Sequence, residues 1–265
     1  MRVWGIMLAK NEADIIGTTL RHHMALGLSG IVVFDNMSND NTGDVARAVP
    51  GTVVLEDSDP AFRQGRKNRD MTEIAMDHGA EWIVAIDADE LWCPTRAATI
   101  PDAIADLGND CFRARILDHV CSEFDDESEI NPVLRMRWRR RKLGVGKAAH
   151  RCEPGTHVWG GNEGLLRGGV VVEPPIRGRM LIRHYPVRGL KHLKRKAAFG
   201  WRAVNNQDGV HRKACAHWRK WYIRMRENPT GFKDYYHRKI LLTERRLTRE
   251  PGAWVEDPFI PAHMA

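Results

Sequence analysis

Trp82-Ile83-Val84-Ala85-Ile86-Asp87-Ala88-Asp89-Glu90 is the stretch that decides the fold. Five apolar residues in a row, most of them β-branched or aromatic, suit a central strand covered on both faces. Where the strand ends, Asp87 and Asp89 are two residues apart in extended chain, so their side chains project to the same side. Like charges this close are costly unless a positive group sits between them, and a hard divalent cation is the usual solution. Glu90 adds a third carboxylate at the same edge. The expectation is a metal site at the exit of a buried strand.

Moving outward, the first 110 residues alternate between strand and helix patterns. Residues 3–9 read as a strand and 11–26 as a helix with Ile15, Ile16, Thr19, Leu20 and His23 on one face. Residues 31–34 form a second strand, followed by a turn-rich run from Asp35 to Asn41, after which Thr42 caps a short helix through Ala48. A third strand (52–55), a helix (64–78) and the strand 82–86 follow. This alternation predicts an α/β protein with a mostly parallel, doubly wound sheet. Ligands of such sheets bind outside the carboxyl ends of the strands. Those exits carry Asn11-Glu12, Asp35-Asn36, Glu56-Asp57 and Asp87-Asp89: every one has a carboxylate, which marks this edge as the site.

Beyond residue 111 the pattern weakens. Residues 134–142 alternate apolar and basic side chains, as an amphipathic strand would. Gly160-Gly161-Asn162-Glu163-Gly164 and Gly168-Gly169 bracket a hairpin or loop before a strand at 170–172, and 180–183 reads as another strand. Residues 190–249 read as helical and basic, with Trp201, Trp218, Trp221 and Tyr222 at helical spacings suited to a core.

The chain has 265 residues, enough for a full α/β core, and a net charge of +7. Residues 1–134 carry 11 Lys and Arg against 24 Asp and Glu, whereas 135–265 carry 30 against 10. An acidic half that binds cations and a basic half that meets an anionic ligand fit this division, as do two solvated surfaces of opposite sign. No apolar run approaches the roughly 18–20 residues that span a bilayer, and strand-like sequence from Val3 leaves no room for a signal peptide. Cys93, Cys111, Cys121, Cys152 and Cys215 form no CxxC pair, which predicts reduced thiols in a cytoplasmic protein.

Asn11-Glu12-Ala13-Asp14-Ile15-Ile16, the run from Val32 to Thr42 with its DNxSxDxT turn, and Trp82 to Glu90 with its DADE ending resemble family 2 glycosyltransferases of the GT-A fold. Downstream, Lys147 and Ile182-Arg183-His184-Tyr185-Pro186-Val187-Arg188, with Lys194 and Lys196, look like later elements of the same subset. The resemblance covers residues 1–95 well and is only motif-deep over 145–200. It implies a Rossmann-like GT-A catalytic domain over 1–182 and a basic, mainly helical extension over 183–265 that completes the acceptor side. It also implies a nucleotide-sugar donor, with UDP as the default base, held by Asn11, Glu12, Asp35, Asn36, Asp57, Asp87, Lys147, Arg188 and Lys196. The donor's diphosphate would be bridged by Mn²⁺ or Mg²⁺ to Asp89, with Asp87 as helper.

Arg151 is a further clamp candidate. His184 is either an extra metal ligand or a structural residue. Family 2 enzymes invert, and inversion needs a base for the acceptor's proton; Glu163 is the candidate, with Asp118 and Glu153 competing. Asn11-Glu12 equally suits a helix N-cap with a first-turn acid. The four cations Arg63, Arg66, Lys67 and Arg69 read as nucleotide contacts or as a solvated face. The basic half points to an anionic or lipid-linked acceptor and to peripheral membrane contact. A nucleic-acid-binding protein is the competing class, suggested by the basic stretches, although no recognised nucleic-acid motif is present. Metal-dependent phosphoryl or nucleotidyl transfer is a third, and a non-catalytic sugar-nucleotide binder a fourth.

Overall fold

The computed structural model describes residues 1–61, 63–159, 161–205 and 216–265. Strands β1 (Val3–Ala9), β2 (Gly30–Asp35), β3 (Thr52–Glu56) and β4 (Trp82–Ala85) are parallel, in the order β4-β1-β2-β3. Helices α1 (Ile16–Ala25), α2 (Thr42–Arg47) and α3 (Gln64–Asp77) return the chain between them. Period-2 alternation explains why both sheet faces are packed. Met7, Ile31, Trp82 and Val84 meet Ile16 and Leu20 of α1 on one face; Ile6, Val32, Ile83 and Ala85 meet Met71 and Ala75 of α3 on the other.

On the far side of β4 the sheet becomes mixed. It contains β5 (Glu90–Pro94), β6 (Cys111–Val120), β7 (Trp138–Arg140), β8 (Ala148–Arg151) and β12 (Ile176–His184), and β13 (Trp254–Glu256) closes its edge. Here β8 runs antiparallel to β4 and β6, β12 runs parallel to β6 and antiparallel to β5, and β13 pairs with β7. The result is a ten-stranded sheet. A separate three-stranded antiparallel sheet holds β9 (Thr156–Trp159), β10 (Gly164–Arg167) and β11 (Val170–Val172). Helices α4 (Ile100–Ala105) and α5 (Pro132–Arg135) are short. The basic C-terminal part is helical, as expected: α6 (Leu190–Asn205), α7 (Ala216–Glu227), α8 (Pro229–Tyr235), a π-helical turn Tyr236–Ile240, and α9 (Glu244–Arg249). The chain is thus a mixed α/β protein whose central sheet is flanked by helices. Among the described residues no helix is long and apolar enough to cross a membrane.

Three local expectations change, and a fourth falls partly outside the described residues. The helix expected over 11–26 starts only at Ile16, because Asn11 adopts a left-handed φ of 57° and the chain turns before it winds. Thr42 is the first residue of α2, not its cap; its hydroxyl accepts a hydrogen bond from the Glu12 N–H at 2.8 Å and ties two loops together. Residues 134–142 are not one strand: Pro132 and the Asn131 side chain start α5, and only Trp138–Arg140 is extended. The helical run expected over 190–249 includes residues 206–215, which with Cys215 and Gly160 lie outside the described residues. Cys93, Cys111, Cys121 and Cys152 are free thiols, as expected.

Two buried polar assemblies hold the layers in place. On α1, His22 shares Nε2 with the Trp92 carbonyl at 3.0 Å and accepts the Ala262 N–H at Nδ1, while His23 bonds the Thr19 carbonyl and accepts the Trp92 N–H. Each ring needs one acceptor nitrogen, so both are neutral. Burial pushes His22, His119 and His150 from 6.5 down to about 4, and His23 to about 3. The second assembly centres on Arg188, whose side chain is fully buried. Its guanidinium meets Glu12, Asp14 at 2.8 Å, the Tyr185 carbonyl at 3.2 Å and Asp89 at 3.7 Å, joining the β12–α6 connection to the loop after β1.

Both assemblies predict measurable behaviour. Between pH 6.5 and about 4 the unfolded chain binds protons that the native histidines refuse, so stability rises with pH and is lost on acidification through this window. Each such histidine contributes up to about 1.4 kcal/mol per pH unit. We expect the Tm to fall steadily over that range, and a flat profile would contradict neutral burial. Arg188→Met leaves buried acids uncompensated, so urea denaturation is expected to register a loss of about 3–5 kcal/mol.

Candidate active site

The carboxyl ends of β1, β2 and β4 open into a cleft of about 400 Å³, within the usual range for ligand pockets. Lys10, Asn11 and Asn36 line one side and Asp87 and Asp89 the floor, with Lys147 and His184 beside them. The roof comes from the C-terminal helices: His192, Arg195, Lys196 and Phe199 of α6, then His217, Trp218 and Trp221 of α7. The α6 residues fall at i, i+3, i+4 and i+7, one face of a helix. Gly200 lets α7 close on α6, since a Cβ there would lie 2.4 Å from the Trp218 ring.

Lysines neutralise the carboxylate run after β4. Lys147 Nζ donates to Asp87 Oδ2 at 2.7 Å and to the Gly161 carbonyl at 3.0 Å, and stands 3.5 Å from Glu90 Oε1. The backbone carries it there by a close approach: a Cβ on Gly146 would lie 1.0 Å from the Ala114 carbonyl oxygen. The other Asp87 oxygen accepts from Asn162 Nδ2 at 3.1 Å. Asn162 is buried with a φ of 67°, and its side-chain Oδ1 accepts from Asn68 and Gln64 of α3 at 2.7 and 3.2 Å. Glu90 is fully buried; burial raises its carboxyl to about 7, against the pull of Lys147 and with the push of Asp87.

Asp89 behaves in the opposite way. Burial alone would raise its carboxyl, but Lys196, His184 and Arg188 hold it far below the usual carboxylate range. Lys196 Nζ donates to Asp89 Oδ2 at 2.9 Å and to the Pro186 carbonyl at 3.1 Å. His184 sits between two acids, with Nδ1 2.8 Å from Asp118 Oδ1 and Nε2 3.7 Å from Asp89 Oδ1. Burial opposes its charge, yet Asp89 and Asp118 raise its pKa.

The residues expected to form the site separate into three groups. Asn11, Glu12, Asn36, Asp87, Asp89, Lys147, His184 and Lys196 line the cleft together. Arg188 does not line it, because its fork is spent on Glu12 and Asp14, and Glu12 in turn is committed to Arg188. Asp35 and Asp57 lie behind the rim: Asp35 accepts the Ser38 N–H, and Asp57 pairs with buried Lys67 at 2.5 Å and with Asn36 at 2.8 Å.

Glu163 is exposed and does not line the cleft; its neighbour Asn162 reaches Asp87 instead. Arg151 pairs in register with Trp82, at the opposite end of β4, and Glu153 is 3.4 Å from Arg167. Lys10, Asn162 and, apart from Lys196, the α6 and α7 roof were not among the expected site residues. The i, i+3, i+4, i+7 spacing on α6 and the Gly-Asn pair at 161–162 were the readable signals. Asn11 Nδ2 is buried with no hydrogen-bond partner among the described residues, a donor available to a ligand at the cleft.

Among the described residues, no group of three or more His, Cys, Asp and Glu side chains is disposed to hold a metal. Asp89 Oδ1 and His184 Nε2, with Asp118 fixing the ring from behind, are a two-donor pair at the cleft. The Asp89 oxygen suits a divalent cation that completes its shell with phosphate oxygens and water, and the His184 imidazole suits Mn²⁺ better than the all-oxygen shell of Mg²⁺. Binding would displace the proton that Asp89 and Asp118 favour on His184.

No protein-family model and no curated protein matches the chain. Solved structures align with part of it. One is S. aureus TarS 1-349, at 16% identity and TM-score 0.36, over 48% of this chain and 37% of that one. A second is TarS 1-349 in complex with UDP-GlcNAc, at 16% identity and TM-score 0.35, over 47% and 36%. A third is glucosyl-3-phosphoglycerate synthase from Mycobacterium tuberculosis with Mn²⁺, UDP and phosphoglyceric acid, at 19% identity and TM-score 0.33, over 43% of each chain. The chain spans less than half the length of these structures.

Proposed function

We propose that the chain is a metal-dependent, inverting glycosyltransferase of the GT-A fold that takes its sugar from a nucleoside diphosphate donor, by default a UDP-sugar. One observation carries this reading. At the carboxyl edge of the parallel strands, two lysines from distant segments converge on the Asp87/Asp89 motif inside a cleft roofed by a basic helix. Residues 1–182 serve as the catalytic domain, and 183–265 as the extension that completes the acceptor side.

Breaking the anomeric C–O bond develops negative charge on the diphosphate. Lys147 and Lys196, both held at the motif, are placed to donate charge-assisted hydrogen bonds to such an anion. When bound at Asp89 and His184, a Mn²⁺ or Mg²⁺ ion supplies Lewis-acid neutralisation of the same charge. Asn11 and Asn36 face the base and ribose, while Asp35 and Asp57 brace the loops that present them. Arg188 and Glu12 act from behind, by fixing Asp89. The cleft acids Glu12, Asp87 and Asp89 are committed to cations; Glu163, outside the cleft lining but two residues past Gly161, which lines it, remains the proposed base for the acceptor, with Asp118 and Glu153 as its competitors.

A thermal-shift panel of UDP, GDP, CDP and dTDP, each with and without Mn²⁺, tests this function. A ligand at about 100 times its Kd stabilises the native state by roughly 2.7 kcal/mol, and we expect one nucleotide to do so only with Mn²⁺. Asp89→Asn is expected to abolish the metal-dependent part of that shift with the fold retained. For Lys147→Ala we expect nucleotide affinity to weaken about tenfold, or roughly 1.4 kcal/mol. No shift with any pair, or an Asp89→Asn variant with an unchanged metal response, would overturn the reading.

A further inference from the structure

Helix α7 carries two functional-looking faces. His217, Trp218 and Trp221 turn to the cleft, whereas Lys220, Ile223, Arg224 and Glu227, at i, i+3, i+4 and i+7, turn away. The second face forms one wall of a groove of about 1210 Å³, whose other walls are α8, the π-helical turn and α9. Lys220, Arg224, Arg238, Lys239, Arg245 and Arg249 line it, all of them exposed, against the single acid Glu227. Among the described residues none of these six cations is in an ion pair, although acid-paired arginines are common elsewhere in the fold. Six like charges facing one concavity repel one another, and an anionic ligand relieves that repulsion.

The groove is also built, not a chance cluster of surface side chains. The π-helical turn sets His237, Arg238 and Lys239 in succession. Arg246 secures its end: NH1 donates to the carbonyls of Lys239, Ile240 and Leu241 at 3.3, 3.3 and 3.0 Å, with the guanidinium 4.8 Å from the Trp254 ring. Those bonds satisfy carbonyls that the end of a helical turn leaves open and hold the cationic turn against α9. On the opposite wall Arg224 lies 4.4 Å over Tyr235.

We propose that this groove binds a flexible chain carrying several phosphates. The cations line a concavity, and a flat bilayer does not follow a concave wall. Of the two aromatic rings that line the groove among the described residues, Tyr235 is covered by Arg224 and bonded to Trp221 at 3.4 Å, and His237 stands edge-on to Tyr236, so the groove offers nucleic-acid bases little stacking surface. A chain of phosphates needs only spaced cations and an open trough. Because both sites share α7, a chain held in the groove lies beside the cleft. That it is the acceptor rests on the transferase reading above, whereas the groove's affinity for phosphate chains does not.

The test uses the full chain and fluorescently labelled linear polyphosphate, followed by anisotropy. Binding is expected at low salt and should fall at least about tenfold between about 50 and about 200 mM salt, as counterion release requires. The triple variant Arg238→Gln, Lys239→Gln, Arg245→Gln is expected to lose about tenfold or more in affinity and to flatten the salt slope by about two. Its Tm and its nucleotide response at the cleft should stay those of the parent chain. The double variant Lys220→Gln, Arg249→Gln, which removes exposed charges from the other wall, gives an independent check. Absence of binding at low salt, or variants that bind like the parent, would overturn the proposal. So would tighter binding to random-sequence single-stranded DNA, or to vesicles of equal parts phosphatidylcholine and phosphatidylglycerol, that the same variants lose. Polyphosphate binding without any nucleotide response at the cleft would uphold the groove and sink the transferase reading instead.

Discussion

The constraint on which the structure depends is the crowding of carboxylates after β4. Asp87, Asp89 and Glu90 follow a strand with no exposed residue; Asp87 is half-buried at the cleft, and Asp89 and Glu90 are buried in protein. Like charges in such surroundings must be paired or protonated. The fold does both. Lys147 arrives from the segment before β8, Lys196 from α6 and Arg188 from the β12–α6 connection, while burial raises Glu90 toward neutrality. The mixed half of the sheet, the helical extension and the loop after β1 all meet at this one charge balance.

That balance explains why neighbouring acids behave differently. Asp89 has three cations near it and is held as the anion; Glu90, one residue on, has Lys147 at 3.5 Å and a second carboxylate beside it. Asp89 lies in the turn between β4 and β5 and lines the cleft, whereas Glu90 is the first residue of β5 and its side chain is buried. The same motif therefore offers a permanent charge to a ligand and a titratable group to the core.

Much of the first half was legible in the sequence because its signals are local. The apolar runs of β1, β2 and β4 and the turn after Asp35 fix strands and exits within a residue or two, and the edge they share is where the cleft lies. The later strands were not legible. β6 carries Arg113, Arg115, Asp118 and His119 among its apolar residues, because three different strands cover it along its length. Which cation meets which acid was hidden for the same reason. Arg188 and Glu12 are both charged residues of the resembling motifs, yet they are 176 residues apart and bond to each other, and no local pattern announces that. The α7 roof and groove were likewise seen only as a basic helix, since its two faces acquire meaning from what packs beside each.

The long reach of these pairings sets an order of assembly. On a ribosome the carboxylate run of β4 emerges before any of its partners, and Lys196 is separated from Asp89 by 107 residues. Until α6 has left the exit tunnel, the parallel strands would have to bury acids without their cations, a state that the desolvation of charge disfavours. The first half of the chain therefore has no charge-balanced structure of its own during synthesis. Contacts this distant in sequence also slow the final collapse, because the intervening chain must be closed before the ion pairs reward it. A chain built in this way is exposed to chaperones and proteases for most of its translation and becomes resistant to them only near the end.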